Sequence, residues 1–578
     1  MTVTAPHALE AGTAAPPTGT VTHEVLRFLR SELDCDRLFT VPGEAFLPLL
    51  GRAWEAGLRL VTVRHEAGAG FAALADARLT GRAGVLAVNR SPGAANAAIA
   101  LDAAVADPTP LLLIVGGAER GCDPRTGFQA TDIEAFLGGI VPVVTVTDAG
   151  ELADALQRCA EELRAPVPGP VVLVVPEDLW EEPAAQATGA GLVQGVPEAH
   201  TGSERPGSDA LSDRGQRLQR RAAARVREEL LTAQRPVLLA GRLLRCGAGA
   251  DAEPGALLAR FAEAACLPVL LGNKQQDLLN NHASHYAGHL HLGSPKATRD
   301  RLAQADLVIV LGDRADDIHL HGPRIDNQRI LTVHPAPAGP GEMLTADAVP
   351  VLRELARAPW PTAPAGRQEW VGGWRALETG LREVVPQPRD DGVDFAEVAT
   401  ALGRRLPENA VLTLDAGNFS SWVHRYIALG AGQRLLALSG GSMGFGVPAA
   451  VAAALRHPDR TVVAVVGDGG LLMTGNELAT ARAEGRMPAV IVADNGSYGT
   501  IRAHQARAFP GRDCGTDLAN PDLVRWAESF GLPAERVEAP HQVDPAVRRA
   551  LASRGGYLLH VRTSLQAVHA NFDLPSRR

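Results

Sequence analysis

Short apolar runs dominated by Val, Leu and Ile recur along this chain, each stopped by Gly, Pro, Asp or Asn and followed by an Ala/Leu/Arg-rich stretch. No other feature limits the fold as tightly. Runs without polar alternation need cover on both faces, which a parallel sheet with crossover helices provides. In the first block they are "RLFTVPG", "RLVTVRHE", "AGVLAVNRSPG", "PLLLIVGGA" and "GPVVLVVPED". In the second they are "RPVLLAGRLL", "CLPVLLG", "ADLVIVLGD" and "RILTVHPAP", and in the third "AVLTLDAG", "RTVVAVVGDGG", "PAVIVADNG" and "YLLHVRTS". Residues 181–215 lose periodicity and fill with Gly, Pro, Ser and Ala, and "APWPTAPAG" begins a second Pro-rich linker. At 578 residues the chain exceeds what one core organises. The expectation is an α/β protein of three parallel-sheet domains at 20–185, 215–355 and 390–570, similar in pattern but without a short sequence repeat.

Several functional classes are disfavoured at once. A net charge of −9 offers no basic patch for nucleic acid, and the apolar runs are too short to span a bilayer. The first 19 residues lack a basic start and an apolar centre, so they read as a disordered tail and not an export signal. Six scattered cysteines without a CxxC pair fit reduced thiols in a cytoplasm.

Asp468 ends the run "TVVAVVGD" and, 27 positions later, Asn495 follows "PAVIVAD". The stretch "LLMTGNELATARAEG" between them makes the crossover. Ligands of parallel sheets gather at the carboxyl ends of strands, so the two side chains are expected at adjacent strand ends. One carboxylate, one amide oxygen and a nearby backbone carbonyl make a hard-oxygen set suited to Mg²⁺ when a diphosphate and water complete it. Gly467, Gly469, Gly470 and Gly496 let the backbone approach phosphate oxygens, with a helix expected to start near Leu471. Alone, "GDGG" is equally a tight turn. The strand-ended Asn at this distance makes the pair specific.

This run resembles the thiamin-diphosphate signature, Gly-Asp-Gly followed at a distance by Asn. Four further stretches agree in order and spacing: "FTVPGEAFLPLL", "VRHEAGAGFAALADARLTGRAG", "SPGAANAAIALDAAVADPTPLLLIVGG" and "LSGGSMGFGVPAA". Over about residues 20 to 570 the chain is similar to the acetolactate synthase/pyruvate oxidase/benzoylformate decarboxylase group. The resemblance implies pyrimidine-binding, central and diphosphate-binding domains. It also implies a homodimer or homotetramer, with each active site between the first domain of one subunit and the third of its partner. Glu66 in "RHEAG" matches the glutamate that hydrogen-bonds the aminopyrimidine, sharing a proton so that the ring can activate the thiazolium; on its own it would be a helix-start residue. Met443 matches the bulky residue beneath the bent cofactor, and Gly441 the carbonyl that receives its amino group; a lone Met there would be core filler. Asp468, Asn495 and the Ser497 backbone oxygen match the metal ligands. Pro92, Asn96, Gly417, Asn418 and Tyr498 complete the implied cofactor-binding set.

The implied substrate is a small 2-oxo acid, decarboxylated with transfer of its acyl unit to a carbonyl acceptor. Simple decarboxylation to an aldehyde, a flavin-dependent oxidase of the same fold and a cofactor-free relative are the alternatives. Gln129 in "TGFQATDI" resembles the Phe-Gln loop of acetolactate synthases, with a surface glutamine as the alternative. Glu44 in "VPGEAF" replaces the small residue usual there, and either relays protons, repels a second carboxylate or merely starts a helix. Features associated with FAD are not evident, and "LLAGRLLRCGAGA" is a poor glycine fingerprint, so FAD is doubtful. The histidines of "NHASHYAGHLHLG" (His282, His285, His289, His291) read as a loop lining the cleft and not as a metal site. Arg314 and Asp317 are expected at a strand end on that cleft, or on a solvated surface.

Overall fold

A computed structural model describes residues 19–184, 213–246, 253–314, 329–339, 341–384 and 386–574. The amino-terminal tail, most of the first linker and Asp317 lie outside the described residues. Three six-stranded sheets follow one another along the chain, and every pairing within them is parallel. The first contains β1 (Arg37–Thr40), β2 (Arg59–Thr62), β3 (Gly84–Asn89), β4 (Leu111–Gly117), β5 (Val143–Thr145) and β6 (Pro170–Pro176), in the order β2-β1-β3-β4-β6-β5. The central sheet contains β7 (Pro236–Ala240), β8 (Val269–Leu271), β9 (Tyr286–His289), β10 (Leu307–Leu311), β11 (Arg329–His334) and β12 (Glu342–Thr345), in the order β12-β11-β10-β7-β8-β9. The third contains β13 (Val411–Leu414), β14 (Arg434–Ala437), β15 (Val462–Gly467), β16 (Ala489–Asp494), β17 (Ala534–Val537) and β18 (Tyr557–Arg562), in the order β14-β13-β15-β16-β18-β17. Counted within each sheet, the first and third share one strand order.

Every run marked in the sequence is a strand. The strands it did not mark, β5, β9, β12, β14 and β17, all lie at sheet edges. Interior strands such as β4, β6 and β16 are buried along their whole length and run apolar, β16 closing on Asp494 only at its carboxyl end. An edge strand is held by one neighbour and escapes that requirement. β12 is half exposed, and β9 places a Gly and a His within the stretch read as a loop.

The first and third units share one hydrophobic core. The helix after β2, Glu66–Thr80, packs on the helix after β14, Gly446–Arg456, with Phe71 and Phe445 edge to face at 5.9 Å. Within the first unit a small residue lets the Glu66–Thr80 helix approach the one after β3, Arg90–Ala106, since a Cβ on Gly70 would fall 2.4 Å from that of Ala100. All three units meet at a buried ion pair. Arg78 lies 2.5 Å from Asp107 and donates to the Ala437 carbonyl at 2.6 Å, while Asp107 accepts from the Ser439 N–H at 2.9 Å and faces Arg242 at 3.5 Å. These added partners keep the buried charges compensated. Among the described residues no helix is long and apolar enough to cross a membrane.

Candidate active site

β15 and β16 run side by side, so Asp468 and Asn495 emerge at adjacent carboxyl ends. Asp468 is itself the first residue of a helix, Asp468–Thr474, which therefore starts three positions before the expected Leu471. Its carboxylate is 3% exposed and accepts from the Gly496 N–H at 3.1 Å and from Asn520 Nδ2 at 2.7 Å. Gly496 makes that turn at φ +65°, a conformation costly for other residues. Asn495 Oδ1 accepts from the Ser497 N–H at 3.0 Å, on the same loop whose Gly496 N–H reaches Asp468.

A second acid stands beside this pair. Asp494 receives His560 Nε2 at 2.6 Å and Arg562 Nη1 at 2.9 Å. Burial raises Asp494, but the His560 hydrogen bond and the Arg562 charge outweigh it and hold the carboxyl well below the usual range. Among the described residues no such cation faces Asp468. Burial pushes it up to about 7, with Asp494 adding to the rise and Asn520 opposing it. One carboxylate without a counter-charge, an amide oxygen and the Ser497 carbonyl form a donor set that fits a hard divalent cation.

A cavity of about 250 Å³ opens over these strand ends. Of the residues singled out in the sequence, Gly417, Asn418, Gly441, Met443, Gly467, Asp468, Gly469, Gly470, Asn495, Ser497 and Tyr498 line it. Its floor admits no side chains: a Cβ on Gly469 would lie 2.6 Å from the Tyr498 ring, and one on Gly470 2.7 Å from Asp415 Oδ2. That cradle fits a diphosphate-bearing cofactor. Asp415, buried at the end of β13, accepts from the Ala416 N–H at 2.7 Å and the Gly444 N–H at 2.9 Å, tying the Met443 loop to the sheet. Burial lifts its carboxyl to about 6 against those hydrogen bonds.

Among the described residues none from the first unit lines this cavity within one chain. Glu66 begins the helix Glu66–Thr80 and accepts from Asn96 Nδ2 at 2.9 Å; Pro92, one turn before Asn96, is exposed. The lead into that helix is held from the third unit. Glu477, 1% exposed, accepts from the Arg64 and His65 N–H groups, both at 3.1 Å, and from Thr480 Oγ1 at 2.6 Å. Glu44 is the half-exposed acid after β1. Its own N–H and the Asn89 amide hold its carboxyl below the ordinary value. Gln129 sits at φ +52°, with its carbonyl bonded by Ser91 Oγ at 3.0 Å.

The histidine stretch is not one group. His289 and His291 stack at 4.8 Å and face His424 at 5.3 and 5.7 Å, whereas His285 contacts the Leu267 carbonyl and His282 is exposed. Lys274 Nζ lies 2.7 Å from His424 Nε2. Burial first, then the Lys274 charge, keeps His424 neutral. Among the described residues no three His, Cys, Asp or Glu side chains are grouped to hold a metal. Arg314 lines a separate cavity of about 130 Å³ beside Arg242 and His334.

Sequence reasoning missed Asp415, Glu477, Asp494 and Asn520. Asp494 adjoins a marked residue and Glu477 falls inside the quoted crossover, so position alone pointed to them. Asn520 lies in an irregular segment with no local signal.

Family models match the chain in three places: a thiamine pyrophosphate enzyme N-terminal binding domain at residues 19–136, the central domain at 223–358, and the C-terminal binding domain at 415–561. The acetolactate synthase large subunit of Corynebacterium glutamicum is 30% identical over 568 residues, covering 93% of this chain and 85% of that one. Acetolactate synthase isozyme 2 large subunit of Escherichia coli is 27% identical, covering 93% and 94%. A solved thiamine diphosphate-dependent 4-hydroxybenzoylformate decarboxylase from Rhodococcus jostii superposes with a TM-score of 0.77 at 23% identity, covering 96% of this chain and all of that one.

Proposed function

The chain belongs to the thiamine pyrophosphate enzymes, among relatives of the acetolactate synthase large subunits, and from that premise we propose that it decarboxylates a 2-oxo acid and transfers the acyl unit to a carbonyl acceptor. One observation carries the proposal: a buried carboxylate without a counter-charge beside an amide oxygen, at the edge of a cavity floored by glycine. Thiamin diphosphate, when bound, supplies an electron sink for the departing carboxylate. Asp468, the Asn495 amide oxygen and the Ser497 carbonyl would hold Mg²⁺, with the cofactor's diphosphate over Gly467, Gly469 and Gly470. Gly417 and Asn418 would border that diphosphate, and Gly441 and Met443 would support the cofactor's bend.

Glu66 would hydrogen-bond the cofactor's pyrimidine ring, with Asn96 orienting its carboxyl. That Glu66 does not line the cavity of its own chain supports a site completed by a partner subunit, in a homodimer or homotetramer. Glu44, whose carboxyl its own N–H and the Asn89 amide hold below the ordinary value, would face the substrate from the first unit. Reduced thiols, all six of them free, fit a cytoplasmic setting.

The test is to incubate purified protein with Mg²⁺, thiamin diphosphate and a panel of 2-oxo acids, measuring CO₂ release and identifying products. Release of CO₂ with a ligated product supports the proposal. An aldehyde as sole product replaces it with simple decarboxylation, and no CO₂ from any 2-oxo acid refutes it.

A further inference from the structure

Four segments of the first unit converge at the carboxyl end of its sheet: Glu44 after β1, Arg90 after β3, the Phe128–Gln129 segment beyond β4, and Glu177 after β6. Arg90 joins them. Its Nη2 lies 2.5 Å from Glu177 Oε2, its Nη1 donates to the Phe128 carbonyl at 3.2 Å, and its guanidinium lies 5.7 Å from the Phe128 ring centroid. Glu44 stands at the margin, 3.9 Å away. Arg90 and Gln129 both hold positive φ, +47° and +52°, without being glycine. Such backbone persists only where the surroundings over-determine it, and it clusters at functional sites.

The charges are unevenly displayed. The Arg90 side chain is 13% exposed, Glu177 30% and Glu44 51%. One guanidinium against two carboxylates leaves the cluster net negative, and Glu177 and the Phe128 carbonyl each engage one terminal nitrogen of Arg90. An incoming molecule therefore meets a carboxylate.

We propose that Glu177 withholds Arg90 from substrate, so that Glu44 is the charge this face presents, and that the protein selects 2-oxo acids with an uncharged far end over those carrying a second carboxylate. The inference rests on the function proposed above and names its substrate class. Rejection by an unpaired like charge is a usual route to specificity. Glu44 acts directly on the substrate; Arg90 and Glu177 are positioning residues.

The matched pair 2-oxopentanoate and 2-oxopentanedioate differs only in a terminal methyl against a carboxylate. Each is tested in the Mg²⁺- and cofactor-loaded protein as substrate, and as competitor of whichever 2-oxo acid turns over best. The monoacid should be favoured by about 100-fold, mainly through KM or Ki. Glu177→Gln, which frees Arg90 to pair with Glu44, should narrow that ratio about tenfold, and Glu44→Gln should do the same from an exposed position that leaves the melting temperature unchanged. Arg90→Gln, leaving two acids unpaired, should widen it. A purely structural cluster would change both compounds equally. Equal preference in the wild type, or a ratio unmoved by Glu44→Gln and Glu177→Gln, would overturn the inference in an active enzyme. Absence of CO₂ release from every 2-oxo acid would instead remove the function beneath it, and the inference with it.

Discussion

In the first sheet the third strand in chain order, β3, ends at Asn89 and its helix begins with Arg90; in the third sheet the corresponding strand, β15, ends at Gly467 and its helix begins with Asp468. One strand order thus delivers a cation to one site and an anion to the other. Arg90 is answered by Glu177 and lies near Glu44, whereas Asp468 is answered by neutral groups, Asn520 and the Gly496 N–H. The shared scaffold fixes where the first helical side chain emerges. Its identity, and what neighbouring strand ends supply, decides whether the place is satisfied or calls for a cation. The first unit's end is polar and partly exposed; the third unit's is glycine-floored and buried.

The largest expected effect breaks the third unit's half. Asp468→Ala should abolish Mg²⁺-dependent binding of thiamin diphosphate in calorimetry, and unchanged affinity would remove the metal assignment. On the first unit's half, Glu66→Gln should retain the cofactor while slowing NMR-detected exchange of its thiazolium C2–H by roughly 10²–10⁴-fold. Exchange at the wild-type rate would show that Glu66 is not the activating group.

A smaller effect tests the link between halves. Glu477→Ala leaves the Arg64 and His65 N–H groups without their acceptor, costing about 1–3 kcal/mol of stability. It should also lower turnover about tenfold by loosening the lead into Glu66. Restoration by Glu477→Gln, which keeps an acceptor oxygen, is expected; turnover unaffected in the Ala variant would make the contact structural only.

The smallest effect concerns Lys274. Burial holds its ammonium down to about 8 from 10.5, so the unfolded chain binds that proton more tightly and stability rises with pH between these values. Denaturant titrations should show this rise in the wild type and a flatter one in Lys274→Met. Equal slopes would place the charge elsewhere.

Much of this was legible in the sequence. Interior strands announced themselves because burial on both faces demands continuous apolar residues, and Asp468 and Asn495 because each directly follows such a run. Contacts between distant segments were not legible. Asn520 reaches Asp468 across 52 positions and Glu477 reaches Arg64 across 413, and neither spacing leaves a local pattern. Arg90 was passed over because a basic residue opening a helix is unremarkable until Glu177 and Phe128 are folded against it.

The proposed site requires the two unlike halves to meet across subunits. Chains carrying Glu66→Gln and chains carrying Asp468→Ala, each inactive alone, are unfolded together, refolded at equal concentration with Mg²⁺ and thiamin diphosphate, and assayed for CO₂ release from a 2-oxo acid. If each site draws one half from each subunit, hybrid dimers contain one intact site, and random pairing restores roughly a quarter of wild-type activity. If both halves came from one chain, no hybrid would hold an intact site, and activity at the level of the separate variants would rule out a site shared between subunits.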